Sequence, residues 1–246
     1  MTTESPNASG VAVRQFSPKD ASSWNEFCLG RESTFVHDIA WREILIESYG
    51  YDARYFIMES KEGLVGVMPA VRIRSRIFGS RLVSMPFFEQ GGPLLRDGEL
   101  LVPLLGEVDS VLEHEGLEYL ELRNPAGIGG EAVQSQRLSG DQYGYVTFRL
   151  SLKRPIEEVW RSTEKSAVRW AVRKAKSAGV LVVPVDAEDG LREFYAMYTT
   201  TMRRHGSPAH PYKFFQLIQR KLAPRIWLAT YSGTPVAGIL VFLHRG

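Results

Sequence analysis

The chain has 246 residues, 44% of them apolar and 24% charged, with a net charge of +2. That composition excludes disordered and collagen-like classes, and the length allows one large core or two small ones. A single cysteine, Cys28, excludes an internal disulfide and any multi-cysteine zinc site, and it reads as a small buried apolar residue.

The longest apolar run, Val236 to Leu243, is far short of the ~20 residues that span a bilayer. Residues 1–10 are polar and read as a disordered N-terminus without a secretory signal, so the expected compartment is the cytoplasm. The net charge hides an asymmetry: residues 1–150 carry −7 and residues 151–246 carry +9. Such a split points either to an anion met by the C-terminal part or to two solvated faces of opposite sign.

Val11 to Phe16 alternates and predicts a strand. Ser17-Pro18 predicts the start of a helix through Trp24 and Phe27 that stops near Gly30. Asp38 is placed to cap a second helix carrying Trp41, Ile44 and Leu45, ended near Gly50. Arg54 to Met58 and Leu64 to Ile73, joined by Lys61-Glu62-Gly63, predict a hairpin. Arg81 to Met85 predicts a short strand and Pro86 to Pro93 a loop. Gly98 to Glu115 sets Leu101, Leu104, Leu105, Val108, Val111 and Leu112 on one helical face before Gly116. Leu117 to Leu122 and Tyr143 to Leu152 predict strands around a glycine-rich stretch, Gly127 to Gly140.

A second series follows. Pro155 to Ala178 predicts one long helix, Val180 to Val185 a strand, and Leu191 to Arg204 and Tyr212 to Leu222 two helices. Ile226 to Tyr231 and Val236 to Leu243 flank Ser232-Gly233-Thr234-Pro235 as a second hairpin. This mix predicts an α/β fold with mixed sheets. The two series repeat in order: an aromatic helix, a polar loop ending in a histidine (His37, His210), a second helix and a hairpin. Tyr55 then matches Trp227 and Gly66 matches Gly238, both at an offset of 172. The repeat implies duplication of one unit, with the second copy lacking its closing half. A last strand as apolar as "VAGILVFL" has the composition of a central strand, yet here it ends the chain with an edge exposed.

Several segments carry residues suited to chemistry. Arg169, Arg173 and Lys176 recur at i, i+4 and i+7, with Lys165 a turn earlier and Lys174 on a neighbouring face. Such a row holds phosphates or simply makes a solvated face. In "RRHGSPAH", Arg203 and Arg204 precede His205 and His210, either of which can serve as a general base. His205 can instead complement a helix C-terminus, and the two-histidine spacing is not that of a metal site. In "SMPFFEQGGP", Phe87 and Phe88 can line a pocket, Glu89 and Gln90 offer polar groups, and Gly91-Gly92 let a ligand approach the backbone or simply supply a tight turn. Arg76 to Arg81, "RIFGSR", is a weak echo of a phosphate-binding glycine loop, though no helix follows it. Trp41, Tyr49 and Tyr55 read equally as core or cleft wall.

The segments "FVHDIAWREILIESYGYDARYFIMES", "GLVGVMPAVRIRSRIFGSRLVSMPFFEQGGPLL", "SAVRWAVRKAKSAGV", "FYAMYTTTMRRHGSPAHPYKFFQLI" and "WLATYSGTPVAGILVF" resemble the FemAB-like acyltransferases, especially their exosortase-associated branch. Arg76 to Gly92 and Met202 to Pro211 are the most specific matches. The resemblance implies a duplicated GNAT-like acyltransferase fold, with a first domain over 11–152 and a second, incomplete one over 153–246. It implies acyl or aminoacyl transfer onto an amine of a cell-wall (peptidoglycan) or exopolysaccharide precursor, nucleotide- or lipid-linked. It implies an aminoacyl-tRNA or acyl-CoA donor and no prosthetic group or metal. The residues whose chemistry suits substrate binding are Phe87, Phe88, Gln90, Gly91, Gly92, Arg169, Arg173, Lys174, Arg203, Arg204 and Tyr212; the catalytic residues are not assigned, with His205, His210 and Glu89 as candidates. The coiled-coil arm of the peptidoglycan-bridge members is not evident. An incomplete second copy implies impaired transfer. The alternatives are an acyl-CoA-dependent N-acyltransferase and a non-catalytic module for tRNA or another polyanion.

Overall fold

The computed structural model describes residues 10–30, 33–77, 79–123, 148–185 and 187–244. The described residues fall into two compact units: 10–123 with His244, and 148–243.

The first unit begins with β1 (Ala12–Gln15) and α1 (Ala21–Leu29), joined by a 3-10 turn over Pro18–Asp20. Asp20 closes that turn: its carboxylate accepts from the Ser17 N–H at 2.7 Å and pairs with Arg14 at 2.8 Å. The Arg14 hydrogen bond holds the Asp20 carboxyl at about 2, against the opposing cost of burial. A second 3-10 turn, Phe35–His37, leads into α2 (Ala40–Tyr49), which Gly50 ends at φ 68°.

Two four-stranded sheets follow. The first orders β1, β3 (Phe56–Ser60), β4 (Gly63–Met68) and β7 (Leu94–Leu95). The second orders β2 (Asp52–Ala53), β5 (Val71–Ser75), β6 (Gly79–Val83) and β8 (Leu120–Glu121), with β8 parallel to β6. The apolar run from Leu64 to Ile73 is therefore two strands rather than one. Pro69, which has no N–H to give a ladder, lies where the chain leaves β4 for β5 in the other sheet. Helix α3 (Leu101–Glu115) buries Leu101, Leu104, Leu105, Val108 and Val111, as its spacing predicts, and Gly116 stops it at φ 61°. Its stripe packs on Phe56, Met58, Val65, Met68 and Ala70.

The second unit holds α4 (Ile156–Ser162), a π-helical turn (Lys165–Arg169) running into α5 (Trp170–Ser177), β9 (Leu181–Val185), α6 (Ala187–His205), α7 (Tyr212–Leu222), β10 (Arg225–Tyr231) and β11 (Thr234–Val241). The expected single helix over 155–178 is broken. The hydroxyls of Ser162 and Thr163 take the carbonyls of Val159 and Trp160, and Thr163 and Glu164 are extended. Glu164 then caps the new start, its carboxylate accepting from the Ser166 and Ala167 N–H groups. The three strands lie in the order β11-β10-β9, so β11 has the exposed edge expected of it despite its central-strand composition. No strand forms over residues 148–152, and the rest of the Tyr143 to Leu152 expectation, like the glycine-rich stretch and the N-terminal tail, lies outside the described residues.

The order of elements repeats between the units, but the offset of 172 does not preserve faces. Met58 pairs with Gly66, and Met58 lies against α3. Leu228 pairs with Gly238, and a Cβ on Gly238 would meet Phe194 and Met197 of α6. The offset thus matches residues that look toward different helices, and a slip of one residue in a strand is enough to do that. Among the described residues, no helix is long and apolar enough to cross a membrane.

Candidate functional site

In the first unit, "SMPFFEQGGP" leaves the end of β6 and returns to β7. Its two aromatics point to different neighbours. Phe88 packs on Trp41 at 4.9 Å and Phe35 at 5.7 Å between ring centroids. Phe87 lies 5.1 Å from Tyr49 and 6.3 Å from Tyr51, remains 42% exposed, and sits at φ 74°. A bulky residue held at positive φ is strained, and the surrounding contacts must fix it there. Of the two glycines, only Gly91 requires its freedom: φ is 132°, and a Cβ there would overlap the Met85 side chain. Trp41 and Tyr55 are core, while Tyr49 and Tyr51 are half-buried beside Phe87.

The loop is tied down by a residue that the sequence marks only as part of the repeat. His37 is 2% exposed. Its Nδ1 accepts from the Thr34 N–H at 3.2 Å, so its Nε2 carries the proton and donates to the Gly92 carbonyl at 3.1 Å. Its own carbonyl accepts from Trp24 Nε1 at 2.7 Å, and Cys28 Sγ is 3.7 Å away. Cys28 is buried, as expected of a packed thiol. Burial pushes the His37 pKa below its usual value, against the pull of the Gly92 carbonyl. The neutral imidazole thus joins the Phe35–His37 turn to the glycine end of the loop, and the His37 backbone carbonyl ties the turn to α1. The Thr34-to-His37 spacing of a capping turn was its one local signal.

Glu89 is exposed and makes no hydrogen bond or ion pair among the described residues, and Gln90 is half-buried. No hydrogen bond links either of them to His37 among the described residues. Arg76 to Arg81 forms the tip and returning strand of the β5–β6 hairpin, paired Ser75 to Gly79 and Ile73 to Arg81. No helix N-terminus follows it to receive a phosphate, and Phe78 lies outside the described residues.

In the second unit, α6 ends in Arg203, Arg204 and His205, where cationic groups complement the helix dipole. All three are exposed. Gly206 turns the chain at φ 66°, and Ser207 N–H reaches the Met202 carbonyl at 3.0 Å. His210 is clamped through its backbone: its N–H donates to the Tyr198 hydroxyl and its carbonyl accepts from the Tyr195 hydroxyl, each at 3.0 Å. Its ring lies 4.8 Å from Phe214, and burial lowers its pKa. Tyr212 packs edge-on against Tyr195 at 4.9 Å. On the helical segment 165–177, Arg169 is half-buried, while Arg173 and Lys174 are exposed and Lys174 lies 4.8 Å over the Trp170 ring. The sequence candidates thus gather into a loop site in one unit and two basic or aromatic groups in the other. No group of His, Cys, Asp or Glu suited to a metal ion occurs among the described residues.

No family model matches the chain, and no curated protein matches it. Among solved structures, FemX aligns at a TM-score of 0.60 and 15% identity over 89% of this chain. The match covers 57% of FemX, so the chain spans little more than half of that protein's length. A GNAT family acetyltransferase from Staphylococcus aureus aligns over 59% of this chain and 98% of its own, at 12% identity and a TM-score of 0.34. A predicted acetyltransferase with acetyl-CoA from Clostridium acetobutylicum aligns over 57% and 96%, at 12% identity and 0.37. The fold is that of FemX, which is the FemAB-like fold the resemblance implied.

Proposed function

We propose that this protein belongs to the FemAB-like N-acyltransferases and joins an acyl or aminoacyl group to an amine of a cell-wall or extracellular-glycan precursor. The observation that carries this reading is the FemX fold together with the strained aromatic loop Phe87–Gly92 held by a buried neutral histidine. In such a transfer the amine lone pair attacks the carbonyl carbon of the donor ester or thioester. The C–N bond forms, the ammonium loses a proton, and the C–O or C–S bond breaks to release the tRNA or the thiol. Most of the acceleration then comes from positioning the two partners.

The residues divide as follows in this reading. Phe87 and Phe88 form the apolar wall for the acceptor, and Gly91-Gly92 bring the backbone close to it. Arg169 and Arg173 hold a phosphate of donor or acceptor, with Arg203, Arg204 and Tyr212 contributing from α6 and α7. Within the second unit, burial lowers the His210 pKa and so favours the neutral ring that a proton acceptor needs.

The test offers the 246-residue chain an aminoacyl-tRNA or an acyl-CoA with an amine-bearing muropeptide or glycan precursor. The expected product has gained one acyl group as an amide, read by mass spectrometry. Phe87→Ala should slow its formation by about tenfold or more. Turnover is expected to be slow, so the assay runs at high protein concentration and long times, and no amide with either donor class under those conditions overturns the reading.

A further inference from the structure

We infer that the outer face of the helical segment Lys165–Ser177 is a docking surface for an anionic lipid bilayer. It shares Arg173 with the transfer reading and otherwise rests on side chains that reading does not use, Trp170 and Lys174 above all. The segment carries Lys165, Arg169, Arg173, Lys174 and Lys176 and no acidic residue. The nearest acids lie before it: Glu164 is occupied in capping the helix, and Glu157 and Glu158 stand in the first turn of α4.

Arg169, Val172 and Ala175, three residues apart, are half-buried and mark the inner side. The remaining residues from Ser166 to Ser177 are exposed. On that outer side Trp170 is 57% exposed, with Ala167 and Ala171 beside it. The Trp170 indole, with Lys174 4.8 Å over it, buries less than half of itself in its own unit. At a bilayer surface the same pair is well placed. Indole rings settle at headgroup depth, lysine stems run along apolar surface to reach phosphate, and a helix with cations on one side and Trp and aliphatic groups on the other lies in the interface plane.

Charge complementarity selects an anionic surface, and the apolar groups select a bilayer over a nucleic acid. Phosphates of a folded RNA would engage Arg173 and Lys174 and leave Ala167 and Ala171 in water. A bilayer removes both costs at once. The same uneven charge that gives residues 151–246 a net +9 adds a longer-range attraction to that surface.

The test is flotation of the full chain with vesicles of phosphatidylcholine alone or mixed with phosphatidylglycerol. Binding is expected to the mixed vesicles and to fall as salt rises. Removing one positive charge, Arg173→Gln or Lys174→Gln, should weaken partitioning by about fivefold each. Trp170→Ser should weaken it further, and Trp170→Phe should retain binding but lose the fluorescence quenching that brominated lipids produce in the parent. All three positions are exposed, and circular dichroism checks that the variants stay folded. Absence of binding to mixed vesicles, or binding indifferent to these substitutions, overturns the inference. Salt-dependent binding of transfer RNA without vesicle binding assigns the face to nucleic acid instead. Because no acyl donor is present, these results are separate from success or failure of the transfer assay.

Discussion

At the scale of single residues, His37 and Gly91 make opposite demands on the loop between β6 and β7. His37 supplies a bond across 55 positions of sequence, and Gly91 supplies room. Replacing His37 by Ala leaves the Gly92 carbonyl and the Thr34 N–H without partners in a buried place and opens a cavity. The expected loss of stability is about 3 kcal/mol, read by urea denaturation. His37→Gln keeps a donor and an acceptor on the side chain and should lose less. The histidine also carries a pH signature. Its folded pKa lies below the unfolded value of 6.5, so the unfolded chain binds the proton more readily. Stability from this group is complete above about pH 6.5 and falls as the pH drops below it. Asp20 acts in a separate window, losing its contribution between its unfolded value of 3.8 and about 2. Parent and His37→Gln should therefore differ in the slope of stability as the pH falls below about 6.5. Identical slopes throughout would remove the neutral-histidine account. Gly91→Ala combines positive φ with overlap on Met85 and should cost about 3 kcal/mol, seen as a lower melting temperature. Gly91 was legible in the sequence as a turn glycine. His37 was not, because its meaning depends on a carbonyl that only the folded chain brings near.

At the scale of elements, the readable ones were those whose information is local. The stripe of α3 repeats every three to four residues over four turns and ends in a glycine, so periodicity and stop signal agree. Leu104, fully buried, should cost about 3 kcal/mol when cut to Ala, while Val102, 70% exposed on the same helix, should change stability by under about 0.5 kcal/mol. A chemical-denaturation comparison of the two variants checks the face assignment, and equal losses would refute it. The break in the 155–178 helix was hidden because Val159, Val168 and Val172 keep a helical rhythm on both sides of it. What stops the helix is side-chain chemistry, two hydroxyls reclaiming carbonyls and one glutamate recapping amides, which hydrophobic spacing does not register. The run Leu64 to Ile73 failed for a related reason. Both strands are apolar, and only Pro69 marks where the chain passes from one sheet to the other.

At the scale of the whole molecule, the two units are unequal in what they bury. Among the described residues, twenty-six buried apolar side chains belong to the first unit and eight to the second. Every one of the twelve largest fully buried side chains, from Trp24 to Leu104, lies in the first. In the second, β9 and β11 leave Leu181, Val182, Val236 and Ile239 more than half exposed. Since stability scales with apolar area removed from water, the second unit holds the smaller share. Unfolding is therefore expected in two steps, with the second unit opening at lower denaturant. The tryptophans allow this to be followed by position: Trp24 and Trp41 are fully buried in the first unit, and Trp160, Trp170 and Trp227 report on the second. In urea, the emission of a variant lacking Trp24 and Trp41 should shift before that of a variant lacking the other three. Hydrogen exchange should find β10 protected less than β3 or β4. A single transition shared by both variants would mean that the eight-residue core is not an independent limit on stability, and that the units unfold as one cooperative body.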